Sequence, residues 1–351
     1  MRNNSSKRVL LSFVVPCYNV EKYIQSCLDS IFACDLPEDL YEVICINDCS
    51  LDHVQEILER NRDSHNNLKI VVHGKNKGWG GARNSGILQA NGRYLWFVDA
   101  DDTILGKGLN ALVQKAVGGN VDVFCFNYRK VDDNGNVLST HILFNDRAPE
   151  NGYSFVQNVF KQGEFIYHIG YVWRFLFKTE YLRSHQLFFP EHVCWEDTVY
   201  MPKAILEADR VASSSEVMYS YRTNADSISN TFSRVYPAKL IFEYSFCAGS
   251  DLLHFSEEIK DDGLKESLYR MAINKYINGF PIPLFRTDKI ERKKFYEIIN
   301  KSASRIKPLR CKMFISRKLL LSPVIGSVLA DFGAILYKAI NKNRSKYVDS
   351  D

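Results

Sequence analysis

Four short apolar runs, Val9–Val15, Tyr41–Ile46, Leu68–Val72 and Tyr94–Val98, each end in a polar cluster, and stretches of helical periodicity separate them. Runs of this length with such ends read as buried strands whose tips reach the surface. Ile24, Cys27, Leu28, Ile31 and Phe32 recur at helical spacing over 21–33, with Asn19 placed to cap that helix. Val54, Ile57 and Leu58 mark a second helix, and Ile87, Leu88 and Ala90 a third. A helix over 108–117 and a strand at 121–126 continue the alternation. Strands alternating with helices predict βαβ units: an α/β fold with a Rossmann-like, mainly parallel central sheet flanked by helices.

In such sheets ligands bind at the carboxyl ends of the strands, so residues far apart in sequence can line one crevice. Four clusters fall at successive strand ends: Pro16-Cys-Tyr-Asn19, Asn47-Asp48, Lys77 to Asn84, and Asp99 to Asp102. In the last, Asp99, Asp101 and Asp102 repel one another unless a cation sits among them. Oxygen ligands suit Mg²⁺ or Mn²⁺ shared with substrate phosphates; the plain alternative is a solvated acidic turn. Tyr18 could stack on a base, Asp48 could accept from a ring N–H, and Lys77 and Arg83 could neutralise phosphate. Taken singly, these are a half-buried aromatic, a helix-capping acid and a solvated loop charge. Together on one edge they make the inventory a nucleoside diphosphate needs.

Gly78-Trp-Gly-Gly81 has neither a Gly-Lys-Ser/Thr ending nor GxGxxG spacing, which argues against a P-loop or a dinucleotide site. Its glycines read instead as a loop turning tightly beside the ligand. His192 and Cys194 stand at metal-like spacing, but two ligands do not make a site.

The ordered set of motifs resembles the family 2 glycosyltransferases, inverting nucleotide-sugar transferases with a GT-A fold, of the bacterial polysaccharide-synthesis type. The matching residues are Val15-Pro-Cys-Tyr-Asn-Val-Glu-Lys-Tyr23, Ile46-Asn-Asp-Cys-Ser-Leu-Asp52, Asn76-Lys-Gly78 with Ala82-Arg-Asn-Ser-Gly86, and Val98-Asp-Ala-Asp-Asp102. Trp195-Glu-Asp197 and Tyr221-Arg222 with Ser227-Ile-Ser229 extend the likeness to about residue 230. It implies that Pro16, Tyr18, Asp48, Lys77, Arg83 and Asp99 hold the nucleotide, Asp99 at the ribose. Asp101 would bind the Mn²⁺ or Mg²⁺ that bridges the diphosphate, with Asp102 an acid behind it. Asp197, with Glu196 beside it, matches the general base, and Trp195 could stack on a sugar face. Cys49 and Cys17 depart from the family pattern, which usually has Gly at the first and a small or aliphatic residue at the second.

After Asn127 the rhythm changes. Tyr128–Val131 and Val137–Phe144 flank Asp132-Asp133-Asn134-Gly135-Asn136, a hairpin signal, and Val217–Tyr221 reads as a further strand. From about Pro237 the chain reads as helix, so the expected division is a catalytic domain over 1–232 and a basic helical region over 233–351. Residues 286–318 carry twelve Lys/Arg against three acids, and Leu319–Tyr337 is apolar with Asp331 as its only charge. Spanning a bilayer would place Asp331 near a helix centre at a cost of about 2.5–3.5 kcal/mol. Lying in the headgroup region avoids that cost and lets the basic flanks meet anionic lipid; the plain alternative is a buried helix packed on the catalytic domain.

The chain has 351 residues, is 46% hydrophobic and 25% charged, and carries a net charge of +4, all ordinary for a globular protein. Its nine cysteines form no Cys-x-x-Cys pair, and Cys45 and Cys125 lie in apolar runs, as reduced core thiols do. Met1–Arg8 lacks an apolar h-region, so the expected location is cytoplasmic, peripheral on the inner face of the cell membrane. A nucleotide-sugar donor and a glycan or lipid-linked acceptor are the expected partners. A sugar nucleotidyltransferase usually opens with a Gly-rich, Arg-containing loop where this chain has Pro16-Cys-Tyr-Asn19. A nucleic-acid-binding module would interleave aromatics with the basic stretch, which 286–318 does not do, and no nucleic-acid partner is expected.

Overall fold

The computed structural model describes residues 9–160, 169–191, 195–223 and 238–279. Met1–Thr231 with Asp251–Met271 forms one compact unit, and Phe232–Ser250 with Ala272–Asp351 the other. The first half of the chain alternates as expected: β1 (Leu11–Cys17), α1 (Ile24–Phe32), β2 (Tyr41–Asn47), α2 (Val54–Ser64), β3 (Leu68–Val72), α3 (Gly78–Gln89) and β4 (Tyr94–Phe97). Then come β5 (Thr103–Ile104), α4 (Leu109–Gly119), β6 (Val123–Val131), β7 (Val137–His141), β8 (Arg147–Glu150) and α5 (Gly152–Val159). β9 (Phe175–Lys178), α6 (Thr179–Ser184), α7 (Glu196–Leu206) and β10 (Val211–Arg222) follow. Two helices, α8 (Ala238–Glu258) and α9 (Asp262–Gly279), complete the described chain.

Among the described residues ten strands form one sheet, in the order β3-β2-β1-β4-β9-β6-β10-β5, with β7 beside β6 and β8 beside β10. The β3-β2-β1-β4 half is parallel throughout. β9 then enters antiparallel between β4 and β6, so the far half is mixed. The hairpin forms at Asp132–Asn136: the Asp132 carboxylate accepts from the Asn134 and Asn136 N–H groups, and Gly135 has φ +83°.

Alternation along β1 decides what packs where. Leu11, Phe13 and Val15 join Trp96, Phe126 and the inward faces of α1, α2 and α4 in one buried core. Val14 points to the other face, where α3 crosses it so closely that a Cβ on Gly86 would stand 2.1 Å from Val14 Cγ1. Phe13 and Phe126 lie 5.6 and 5.0 Å from Trp96, ring centre to ring centre, which makes Trp96 the hub of the first core.

Two local expectations are corrected. Asn19 does not cap α1. Its amide oxygen accepts from the Leu51 N–H, tying the β1 and β2 ends together, and its backbone turns left-handed at φ +54°. Gly78-Trp-Gly-Gly81 is not a loop but the first turn of α3. Its glycines serve close approach, for a Cβ on Gly80 would stand 2.3 Å from the Pro190 carbonyl oxygen. Cys49 sits at φ +63°, a left-handed position that accounts for the family's usual Gly and costs an L-residue about 1–2 kcal/mol.

Of the region 233–351, α8 and α9 are helical, and no helix among the described residues is long and apolar enough to cross a membrane. The basic stretch 286–318 and the apolar stretch 319–337 lie outside the described residues. Among the described residues the cysteines are free, and Cys17, Cys27, Cys45 and Cys125 are buried.

At the opposite end of the sheet Glu42 holds a polar knot. It accepts from Ser12 Oγ (2.6 Å), Lys69 Nζ (2.5 Å) and the Asn91 N–H (2.5 Å), all around a carboxylate that is almost fully buried. Burial by itself would raise the Glu42 pKa, yet the bonds from Lys69, Ser12 and Asn91 hold it below its usual value. The stabilisation is therefore complete above the unfolded-state value and disappears as pH falls through the lowered folded one. Glu42→Gln should cost about 1–3 kcal/mol near neutral pH by urea unfolding. Its deficit relative to the wild type should shrink as pH drops below 4.5. A deficit constant across that range would mean that the charge on Glu42 contributes nothing.

Candidate active site

Pro16 opens the site. Val14 C=O accepts from Val98 N–H and Cys17 C=O accepts from Asp48 N–H, so Pro16 faces the β4 side. β1–β4 pairing has ended by then, at Val14–Phe97, so the missing N–H of Pro16 breaks no ladder bond. Past that point the chain of β1 turns away toward α1 and the chain of β4 toward β5. The gap lies where strand order reverses, the place ligands occupy in open α/β sheets. Tyr18, at the tip of β1, is 42% exposed and free to meet a planar ligand.

The acidic turn after β4 is held from behind. Asp102 is buried, and its oxygens accept from the Tyr219 hydroxyl (2.8 Å) and the Arg222 N–H (2.7 Å). The same hydroxyl accepts from the Asp99 N–H, while Arg222 Nε donates to the Asp101 carbonyl. Tyr219 and Arg222 of β10 thus fix the turn that carries Asp99 and Asp101. Burial, then the charge of Asp99, pushes the Asp101 carboxyl up to about 6. Burial and the same neighbours drive Asp102 well above the carboxylate range.

That repulsion tests the fit of a divalent cation. Asp99 and Asp101 form a crowded anionic pair that a cation would relieve. Among the described residues no group of three or more His, Cys, Asp or Glu side chains is placed to hold a metal by itself. The pair fits Mn²⁺ or Mg²⁺ as a half-site that substrate oxygens must complete, the usual arrangement for Mg²⁺ with phosphates.

Arg83 is the largest departure from expectation. It is buried, with Nη2 on Asp99 Oδ1 (2.8 Å), Nη1 on Glu196 Oε1, and its guanidinium 5.6 Å from the centre of the Phe189 ring. Burial alone would lower its pKa, but Asp99, Glu196 and Asp197 raise it, so the charge is permanent. Its charge is met inside the protein by Asp99 and Glu196. Glu196 is buried and bound to Arg83. Asp197 is half-buried and accepts from the Thr198 N–H (2.8 Å) at the start of α7. Trp195 precedes it in a left-handed conformation, φ +58°, half-buried. His192 and Cys194 lie outside the described residues.

Asp48 also has a different part from the one expected. It is buried, and its two oxygens accept from His73 Nδ1 (2.6 Å), the Lys77 N–H (2.9 and 3.1 Å) and the Gly78 N–H (2.9 Å). A carboxylate has about four lone-pair sites, so these bonds fill it, and a ring N–H would have to displace one. Asp48 instead caps the N-terminus of α3, where Lys77 offers no cap of its own. His73 Nε2 reaches Ser85 Oγ (2.8 Å), so the line Ser85–His73–Asp48 pins α3 to the β2 and β3 ends. An ionised Asp48 only accepts, which puts the hydrogen of His73 on Nδ1. Lys77 is half-buried at the head of α3, and its own N–H is part of this anchor.

Sequence reasoning missed His73, Ser85 and Tyr219 as members of the site. Their one signal was polarity inside or beside apolar runs, which many surface residues share.

The Glycosyl transferase family 2 model matches residues 12–206. The uncharacterized glycosyltransferase EpsJ of Bacillus subtilis (strain 168) is 32% identical over 223 residues, covering 62% of this chain and 62% of its own. The poly(ribitol-phosphate) beta-N-acetylglucosaminyltransferase TarS of Staphylococcus aureus (strain MW2) is 29% identical over 282 residues, 79% of this chain and 47% of its own. The chain thus spans less than two thirds of the length of these relatives. Among solved structures, S. aureus TarS 1–349 in complex with UDP-GlcNAc superposes with a TM-score of 0.65 at 23% identity, covering 85% of this chain and 82% of that one. The likeness is one of fold, and it agrees with the GT-A architecture expected from the motifs.

The anchor on α3 has a direct readout. His73→Leu should speed amide exchange at Lys77 and Gly78 about tenfold, the effect of losing one charge-assisted bond that orients their acceptor. Exchange in β1 and α4 should stay as in the wild type. A uniform rise across the domain would show general destabilisation and dismiss the anchor.

Proposed function

Because this chain belongs to glycosyl transferase family 2, we propose that it moves a sugar, with inversion, from a nucleoside-diphosphate sugar to a hydroxyl of a glycan or lipid-linked acceptor in cell-surface polysaccharide synthesis. The observation that carries this reading is the Arg83 bridge. Through Asp99 and Glu196 it ties the acidic turn of β4 to the head of α7, the turn in which Asp197 follows Glu196. In this reading the carboxylates of the turn serve the donor and Asp197 serves the acceptor. A UDP-sugar is the favoured donor, supported by the TarS structure solved with UDP-GlcNAc.

Each group has a task. Tyr18 stacks on the base, Asp99 accepts from the ribose, and Lys77 offsets diphosphate charge at the head of α3. Asp101, with Asp99 beside it, would hold Mn²⁺ or Mg²⁺, which supplies charge neutralisation for the leaving diphosphate. Asp197 accepts the proton of the acceptor hydroxyl. As that oxygen bonds to the anomeric carbon from one side, the carbon–oxygen bond to the diphosphate breaks on the other, which inverts the centre. Glu196 and Asp102 hold Arg83 and Tyr219, and through them the two reacting faces. Pro16 and Asp48 shape the crevice and the helix beside it.

The assignment separates into two substitutions measured side by side with UDP-sugars. Asp101→Asn should abolish transfer with either cation. Asp197→Asn should bind donor almost as well as the wild type yet turn over ~10²–10⁴-fold more slowly, because proton removal belongs to the transition state. Near-normal rates for Asp101→Asn, or equal loss of donor binding in Asp197→Asn, would refute the respective role.

Docking on the inner membrane face is part of the same proposal, motivated by the basic 286–318 stretch and the apolar 319–337 stretch after it. A lipid-linked acceptor would be met at that surface. The full chain should pellet with membranes and be partly released by high salt, while a chain ending at Lys312 should not pellet. Identical soluble partition of both would end the docking idea.

A further inference from the structure

Beside Asp197 lies an aromatic surface that none of the assigned groups uses. The backbone at Gly170 abuts the first turn of α7: a Cβ there would stand 3.7 Å from Thr198 Oγ1. Thr198 in turn donates its N–H to Asp197. The next residue, Tyr171, is 39% exposed although its neighbours Val172 and Trp173 are buried. Its ring packs on Trp173 at 5.1 Å and 29°, and Trp173 lies flat on Tyr219 at 4.3 Å and 9°. Tyr219 is the residue whose hydroxyl holds Asp102.

Tyr171 is therefore the outermost ring of a stack whose inner end is fixed to the acidic turn. Trp173 packs on it from one side and Tyr128 lies 6.1 Å away at 55°, which leaves the residue as a whole 39% exposed. Burial and the charge of Asp197 both push its phenol pKa up, so Asp197 is within electrostatic reach and the hydroxyl stays protonated. A rigid apolar face beside a carboxylate suits a pyranose, which offers C–H groups on one side and hydroxyls at its edge.

We propose that the exposed face of Tyr171 is an acceptor subsite, seating a pyranose ring by stacking so that one of its hydroxyls meets Asp197. This rests on the transferase reading above and adds to it the chemistry of the acceptor's terminal unit. Tyr171 binds and orients; the proton still goes to Asp197.

The test is saturation-transfer NMR on the full chain with Mg²⁺. The probes are UDP, dTDP and GDP in turn, each with methyl β-D-glucopyranoside or methyl N-acetyl-β-D-glucosaminide. Wild type, Tyr171→Ala and Tyr171→Trp are compared after circular dichroism shows each to be folded. The wild type should give ring C–H signals from at least one pyranoside, Tyr171→Ala should weaken that binding about tenfold, and Tyr171→Trp should restore it. No pyranoside signal in the wild type, or equal signals in wild type and Tyr171→Ala, overturns the subsite. Should Tyr171→Ala fail to fold, the Trp variant decides: retained pyranoside binding supports stacking, and its loss overturns it. Absence of signal from all three nucleotides would instead bring down the transferase reading. Nucleotide binding with pyranoside signals indifferent to Tyr171 would leave that reading standing without the subsite.

Discussion

A guanidinium shut away from water needs negative charge on it, and Arg83 is served from two directions, by Asp99 at the end of β4 and by Glu196 in the first turn of α7. Removing any one of the three would strand charge in the interior, which costs several kcal/mol. This bridge sets the distance between the two sides of the crevice. Asp99 remains partly open, its side chain 30% exposed, while Arg83 and Glu196 are sealed from solvent. Asp197, one residue beyond Glu196, is near enough for its charge to act on Arg83.

A second support runs beneath the acidic turn. Tyr219 ties Asp102 and the Asp99 backbone together, and its ring stacks on Trp173, whose carbonyl accepts from Trp96 Nε1 (2.8 Å). The hub of the apolar core and the floor of the site are therefore continuous. β9 antiparallel between β4 and β6 makes this possible, because it brings the Tyr171–Arg174 segment to the carboxyl end of β4. Arg174, set between the Tyr128 and Phe144 rings at 4.9 and 4.8 Å, closes that segment from the other side. The expected parallel half thus carries the acidic turn at the end of β4, and the mixed half packs beneath that turn.

The amino-acid sequence by itself determined the βαβ alternation, the β6–β7 hairpin, and the polar clusters of Tyr18, Asp48, Lys77 and Asp99 to Asp102 after successive strands. These follow from period-two and period-3.6 patterning and from polar residues at strand tips, which are local signals. What only the tertiary structure decided is which charges are already satisfied. Arg83 and Asp48 look like ligand-binding groups in sequence, yet one is matched by carboxylates from distant elements and the other by the amides of α3 and by His73. Gly80 looks like a loop glycine, yet it is a helical residue with the Pro190 carbonyl against it. A motif states which polar group is present. Whether that group faces ligand or protein depends on partners brought in by packing, and burial makes an unmatched charge too costly to leave the choice open.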